Sequence, residues 1–256
     1  MMWLRVVVGV ILFLMISPIL VMMPLSFSSE VAFHFPPPDY SLKWYQKFLD
    51  NSTWVESLGR SLLVACCTAV VATLLGTMGA LAVSRLNFPG KKIFVNLMIA
   101  PMIIPVIVVA IAMYYSFSNY SLTNSISGLV LAHSVLAIPI VFVTVSARLR
   151  GVDENLELAA QSLGSSPVGA FLRVTLPIIR TAVFASGLFA FITSLDEVVV
   201  SMFIAGAKAK TLPVAMWESM RTQVDPTIAA VSTLLIVATV ALFGVQGLMS
   251  QREQKL

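Results

Sequence analysis

Long stretches without a charged residue alternate along this chain with short charged or Pro-rich segments, and the stretches have the length of a bilayer crossing. Charged side chains are expensive in hydrocarbon, and an apolar helix needs about 20 residues to cross it. The run from Val6 to Met23 carries no charge and predicts a first span over 5–26. It is longer than a signal-peptide core, and no small-residue cleavage site follows it. The next segment, Ala32 to Trp54, holds Pro36-Pro37-Pro38, Asp39, Lys43, Trp44 and Tyr45 and reads as an external loop with interfacial aromatics. Arg60 and Arg85 bracket a second span over 60–84. From Ile93 to Ala147 nothing is charged, and the polar cluster Ser116 to Asn124 divides the stretch into spans over 93–116 and 126–147 with a tight external turn. Pro101 and Pro105 are expected to kink the third span. A fifth span over 181–206 and a sixth over 227–249 complete an all-α membrane domain of six transmembrane helices occupying 1–256.

Composition agrees with this pattern and narrows the function. The 256 residues are 58% hydrophobic and 11% charged, against about 45–50% and about 25% in ordinary soluble domains. Six spans leave no room for a soluble catalytic domain, so any nucleotide chemistry must come from a partner, and no catalytic residue is expected in this chain. With 2 Cys, adjacent at Cys66-Cys67, no disulfide scaffold or metal site is expected. The net charge of +4 needs no nucleic acid to explain it. Arg5, Arg85, Lys91, Lys92, Arg148, Arg150, Arg173, Arg180, Arg252 and Lys255 fall on one side of the predicted spans, against Lys43, Lys47, Arg60, Lys208, Lys210 and Arg221 on the other. Excess Lys and Arg mark cytoplasmic loops, which places both termini in the cytoplasm.

The polar segment 148–180, between spans four and five, has the local chemistry of two short helices. Asp153 can cap the first, with Glu154 and Glu157 in its opening turn where the helix dipole favours negative charge. Leu156, Ala159, Ala160 and Leu163 make an apolar stripe at helical spacing, and Gly164 stands where a left-handed C-terminal residue costs least. Ser165 or Ser166 can cap the second helix, with Pro167 at its first position, and Pro177 is expected to end it. On helix physics alone this is equally an amphipathic pair lying on the bilayer.

Leu158-Ala159-Ala160-Gln161-Ser162-Leu163-Gly164 with Val174-Thr175-Leu176-Pro177 resembles the E-A-A-x3-G-x9-I-x-L-P signature of permease subunits in bacterial binding-protein-dependent ABC importers. Leu158 stands where that family usually has Glu, with Glu157 one residue earlier. Tyr40 to Tyr45, Ser84 to Lys91, Ala132-His133 with Pro139, and Ser194 to Ser201 extend the likeness, which is nearest to the second permease of spermidine/putrescine-type importers. The resemblance implies a multi-pass protein of the bacterial inner membrane, itself no enzyme and binding no cofactor. It further implies a second six-span permease, two ATPase subunits that bind ATP and Mg, and a periplasmic solute-binding protein. The segment 148–180 would then be a coupling loop, with Glu157, Ala159, Ala160, Leu163, Gly164 and Pro177 serving the ATPase.

Asp196 and Glu197 depart from membrane economy, since a carboxylate at a helix centre costs about 2.5–3.5 kcal/mol on insertion scales. Adjacent helical positions point about 100° apart, so one is expected to face a translocation path and the other a helix interface. Asp196, Glu197 and Ser194 are the candidate pathway residues, and carboxylates there suit an ammonium-bearing solute such as putrescine or spermidine. Structural satisfaction by neighbouring Ser or Thr hydroxyls, or by a basic residue of the sister permease, is the competing reading. His133 is expected to be a packed, hydrogen-bonded residue, and 207–225 either docks the binding protein or is a solvated loop. Other solutes in the same importer class are 4-aminobutyrate and aminoalkylphosphonates. A self-contained carrier or channel would leave the signature unexplained, and an intramembrane hydrolase lacks a Gly-x-Ser-x-Gly elbow around His133-Ser134.

Overall fold

The computed structural model describes residues 2–31, 34–222 and 225–253; Ala32 of the expected external loop and Lys255 of the basic count lie outside them. The described residues form helices and no strand, apart from one isolated antiparallel bridge between Ser28 and Tyr40. In chain order the helices are α1 (Met2–Leu25), α2 (Lys43–Asp50), α3 (Ser52–Arg85), α4 (Lys91–Ile103), α5 (Val106–Ser118), α6 (Ile126–Leu149), α7 (Asn155–Ser162), α8 (Pro167–Ala170), α9 (Leu176–Leu195), α10 (Val199–Ile204), α11 (Leu212–Thr222) and α12 (Thr227–Glu253). Among the described residues five helices are long and apolar enough to cross a membrane, and a bent pair makes a sixth if it is one span. The protein is therefore a multi-pass membrane protein.

The chain forms two units, one of residues 1–56 and 215–245, the other of 57–214 and 246–256. In the first, polar contacts tie the end of α1 to α2. The Ser26 hydroxyl lies 2.7 Å from the Tyr45 hydroxyl, the indole of Trp44 donates to the Ser28 carbonyl at 2.7 Å, and Lys43 donates to the Ser29 carbonyl. The segment expected to be only loop thus contains a helix. Its Trp44 and Phe48 are buried, so an amphipathic face overrode the polar composition.

In the second unit α6 is the central element, packing against α4, α9 and α10. One buried cluster gathers Ala72, Ala80, Ala137, Val141, Val145, Leu149, Ile179 and Ala190. A second gathers Val64, Ala110, Leu129, Ala132, Val200, Ile204 and Ala205. Small residues set the approach of the helices: a Cβ added at Gly76 of α3 would lie 2.7 Å from Val141 Cβ on α6. Without bulk at Gly76 the two backbones pack directly, as van der Waals association between apolar helices requires.

Three helices differ from their sequence-based expectations. Between α4 and α5 the chain turns by 107°, a break where a kink was expected. Proline forces the preceding residue into extended backbone and donates no hydrogen bond, and Ile104 (ψ 133°) and Pro105 (ψ 129°) are both extended. Pro177 does not end a helix. A π turn over Phe171–Thr175 joins α8 to α9, with Pro177 in the first turn of α9, so one helical run extends from Pro167 to Leu195. The wider π turn accommodates the missing proline N–H. Finally, the fifth span, expected over 181–206 with its apolar run interrupted by Asp196-Glu197, is two helices, α9 stopping at Leu195 and α10 beginning at Val199.

Candidate functional site

The break between α9 and α10 contains neither Pro nor Gly, since Ile192 to Ile204 reads Ile-Thr-Ser-Leu-Asp-Glu-Val-Val-Val-Ser-Met-Phe-Ile. Polar side chains hold it. The last α-helical bond before it runs from the Asp196 N–H to the Ile192 carbonyl at 3.0 Å. Glu197 then turns its carboxylate onto the start of α10, accepting from the Val200 N–H at 2.9 Å. A side-chain acceptor at that place satisfies an amide that has no intrahelical partner. Asp196 is exposed and Glu197 half-buried. The two carboxylates differ in their surroundings, Glu197 serving the backbone and Asp196 being exposed, and since both lie in the break the 100° spacing of a continuous helix does not apply to them.

His133 of α6 lies behind this break. Its Nδ1 is 2.8 Å from the Ser194 hydroxyl at the end of α9, and its Nε2 is 3.0 Å from the Ser201 hydroxyl on α10. All three side chains are buried. A neutral imidazole has one donor and one acceptor nitrogen, and each serine hydroxyl can play the complementary part. The packed, hydrogen-bonded reading of His133 agrees with this geometry. Ser194, a candidate pathway residue in the sequence, has its hydroxyl turned to the imidazole. Ser201 was missed, although it stands seven residues after Ser194, two turns along one helix face.

The far end of α10 is pinned as well. The Asn124 N–H donates to the Ile204 carbonyl at 2.7 Å, and its Oδ1 accepts from the Lys208 N–H at 2.8 Å. Gly206 adopts φ +53° against that side chain, where any Cβ would meet Asn124 Oδ1 at 2.5 Å. The segment after residue 206, for which a docking surface and a solvated loop were the two readings, contains a helix, α11, with Arg221 stacked 5.3 Å from the Trp217 ring.

The polar segment after α6 is built as its capping chemistry dictates. Asp153 accepts from the Asn155 N–H at 3.0 Å at the start of α7. At its end the Gly164 N–H bonds the Gln161 carbonyl and the Ser165 N–H the Ala160 carbonyl, with Gly164 at φ +93°. This is the paired-bond helix terminus that favours glycine. Ser166, not Ser165, caps α8, accepting from the Gly169 N–H at 3.1 Å with Pro167 at the first position. The turn pushes Leu163 out to 91% exposure beside exposed Leu158, Ala159 and Val168, while Ala160 is half-buried.

Glu157 faces the other way. Its Oε1 accepts from Arg85 Nη2 at 3.1 Å and from the Thr175 hydroxyl, and Arg85 also approaches Glu154 at 3.4 Å. The carboxylate therefore joins the end of α3, helix α7 and the π turn before α9. Arg85 entered the sequence argument as the end of the second span and a basic loop residue, and Thr175 only as part of a signature; neither was expected to meet Glu157. Among the described residues no cluster of His, Cys, Asp and Glu could hold a metal ion.

Comparison with known proteins places this geometry. Residues 72–255 match the family model described as binding-protein-dependent transport system inner membrane component. The spermidine/putrescine transport system permease protein PotC of Haemophilus influenzae is 31% identical over 92% of this chain and 91% of its own length. The putrescine transport system permease protein PotI of Escherichia coli K12 is 32% identical over 78% of this chain and 73% of its own. Among solved structures, a bacterial ABC transporter involved in the import of the acidic polysaccharide alginate superposes with a TM-score of 0.77 at 15% identity, covering 95% of this chain and 94% of that one. That last likeness is one of fold.

Proposed function

The chain belongs to the family of binding-protein-dependent transport system inner membrane components, and from that membership we propose that it is the permease of an ATP-driven importer that moves a polyamine such as putrescine or spermidine into the cytoplasm. The observation that carries the solute class is Asp196. Its carboxylate is exposed at a helix break, while the neighbouring Glu197 is occupied with the Val200 N–H. An exposed carboxylate in a membrane-spanning element has a use if an ammonium group passes it, and the functions named for the two polyamine relatives point to the same chemistry. Asp196 then contacts the solute, with Glu197 and Ser194 shaping the break around it.

The remaining parts of the machine follow from family membership. A second permease of six spans completes the pathway, a periplasmic binding protein delivers the solute, and two ATPase subunits hold ATP and Mg. Both termini lie in the cytoplasm of a bacterium, with this chain in the inner membrane. The coupling surface toward the ATPase is the apolar turn at Leu163 and Gly164 with Ala159 and Ala160. Glu157, held by Arg85 and Thr175, and Pro177 support that surface from within the chain.

Asp196→Asn tests the solute reading because it removes the charge and keeps the shape. A hydrogen bond to a charged group contributes about 1.5–3 kcal/mol, so uptake of labelled putrescine should fall about tenfold or more. Flux of a neutral analogue of similar length should change little. Equal losses for both would give Asp196 a structural role and withdraw the amine assignment.

A further inference from the structure

Helix α3 runs from Ser52 to Arg85 without a proline, and side chains tie it near both ends. At 1.5 Å per residue, Ser61 and Arg85 stand about 36 Å apart along its axis, more than the roughly 30 Å of a hydrocarbon core. Toward one end the Ser61 hydroxyl accepts from the Leu212 N–H at 2.8 Å, at the start of α11, and both residues are buried. At the other end Arg85 donates from Nε and Nη2 to Glu157 Oε1 at 3.3 and 3.1 Å, and it lies 3.4 Å from Glu154. The two attachments are therefore too far apart to lie on one side of a bilayer.

Helix α7 is not fixed to the spans by apolar burial. It contains no buried residue, and Leu156 of its apolar stripe and Leu163 just beyond it are exposed. The chain itself joins α7 to α9, through α8 and the π turn. Nothing covalent joins α7 to α3; that attachment is Glu157, whose Oε1 takes both Arg85 of α3 and Thr175 of the π turn. The Arg85 and Glu157 side chains are only 16% and 14% exposed, so salt and water screen them less than a surface pair, and removing one partner leaves the other charge half-buried and unpaired. Helices α3 and α9 also meet directly, since a Cβ added at Gly187 would lie 2.8 Å from Thr73 Oγ1. A push on α7 thus has a covalent way into α9 and a polar way into α3.

We propose that Arg85 is a positioning residue: through Glu157 it fastens α7 to the end of α3, so that a displacement of the turn at Leu163 and Gly164 travels along α3 to the start of α11 as well as into α9. The inference rests on the proposed ATPase surface at that turn and adds a second route from it. The link is read by spin labels at Asn87→Cys and Asn155→Cys, exposed positions beside Arg85 and Glu157, in a Cys66→Ala/Cys67→Ala background. Dipolar broadening is recorded on the assembled complex in lipid nanodiscs, with and without a non-hydrolysable ATP analogue. With Arg85 in place the labels stay together in both states. In Arg85→Gln they separate when the analogue binds, and putrescine uptake per ATP hydrolysed falls about fivefold or more. Arg85→Lys keeps the charge and recovers both readings, which a role in packing alone would not give. If Arg85→Gln does not reach the membrane, Glu157→Gln, which keeps an acceptor for Thr175, carries the same expectation. Labels that part with Arg85 in place, or that stay together once the ion pair is lost, overturn the proposal, as does an unaltered uptake-to-hydrolysis ratio after they separate. A wild-type complex that hydrolyses ATP without moving putrescine withdraws the solute assignment alone, because the label pair needs no solute.

Discussion

Asp225 shows how single side chains carry structure in a chain with few charges. It stands ahead of α12, where its carboxylate accepts from the Thr227 N–H at 2.8 Å, from the Thr227 hydroxyl at 2.7 Å, and from Lys47. Burial alone would raise its pKa, but the Lys47 ammonium and the Thr227 donors together outweigh it and hold the carboxyl below the ordinary carboxylate range. A lowered folded-state pKa stabilises above the unfolded value, near about 4, and that stability is lost as pH falls through the lowered value. Lys47 is 56% exposed, so solvent screening limits the pair to at most about 1 kcal/mol. Thermal unfolding of the purified protein should therefore show Asp225→Asn melting lower than wild type at pH 7, with the gap closing below about pH 4. A gap independent of pH would mean that the carboxylate's charge is irrelevant there. Glu157 is a second such residue, with its side chain 14% exposed and Arg85 and Thr175 as partners.

At the scale of elements, apolar periodicity and capping chemistry were readable because both are local. The uncharged stretches became helices, and Asp153, Gly164, Ser166 and Pro167 do at the ends of α7 and α8 what their types allow. Breaks were readable only where proline causes them, and then incompletely, since a kink and a 107° turn begin from the same Ile104-Pro105 pair. At Asp196-Glu197 the interruption of the apolar run was readable, but not the break of the helix. The side chains that meet it are a carboxylate bonded to a backbone N–H three residues on and an imidazole 61 residues away, and no hydropathy window contains both. For the same reason Asp196 and Glu197 could be nominated from their cost in a membrane, while which of them is presented outward needed the fold. The turn at Gly164, proposed above to face the ATPase, offers an element-level test. A Cβ at Gly164 meets nothing within 4 Å, so Gly164→Val loses only the left-handed backbone, at a cost of about 1–2 kcal/mol. Membrane insertion should be unaffected and ATP hydrolysis by the assembled complex retained, while uptake per ATP hydrolysed falls; wild-type coupling in this variant would remove the turn from the ATPase interface.

For the whole molecule, the proposed function makes this chain a permease that supplies a path, with energy and first recognition left to partners. The large apolar side chains of α1 from Trp3 to Leu20 are exposed, which suits a helix bathed in lipid or set against a sister permease. The central claim, import of a polyamine through this chain, is tested most directly by uptake of labelled putrescine into intact cells with and without it. Other polyamine importers should first be removed, with excess spermidine and 4-aminobutyrate as competitors. The account predicts a flux that disappears on deletion, returns with the wild-type chain, and is suppressed by spermidine but not by 4-aminobutyrate. Putrescine uptake unchanged by deletion would contradict it, leaving the family membership in place and moving the solute elsewhere.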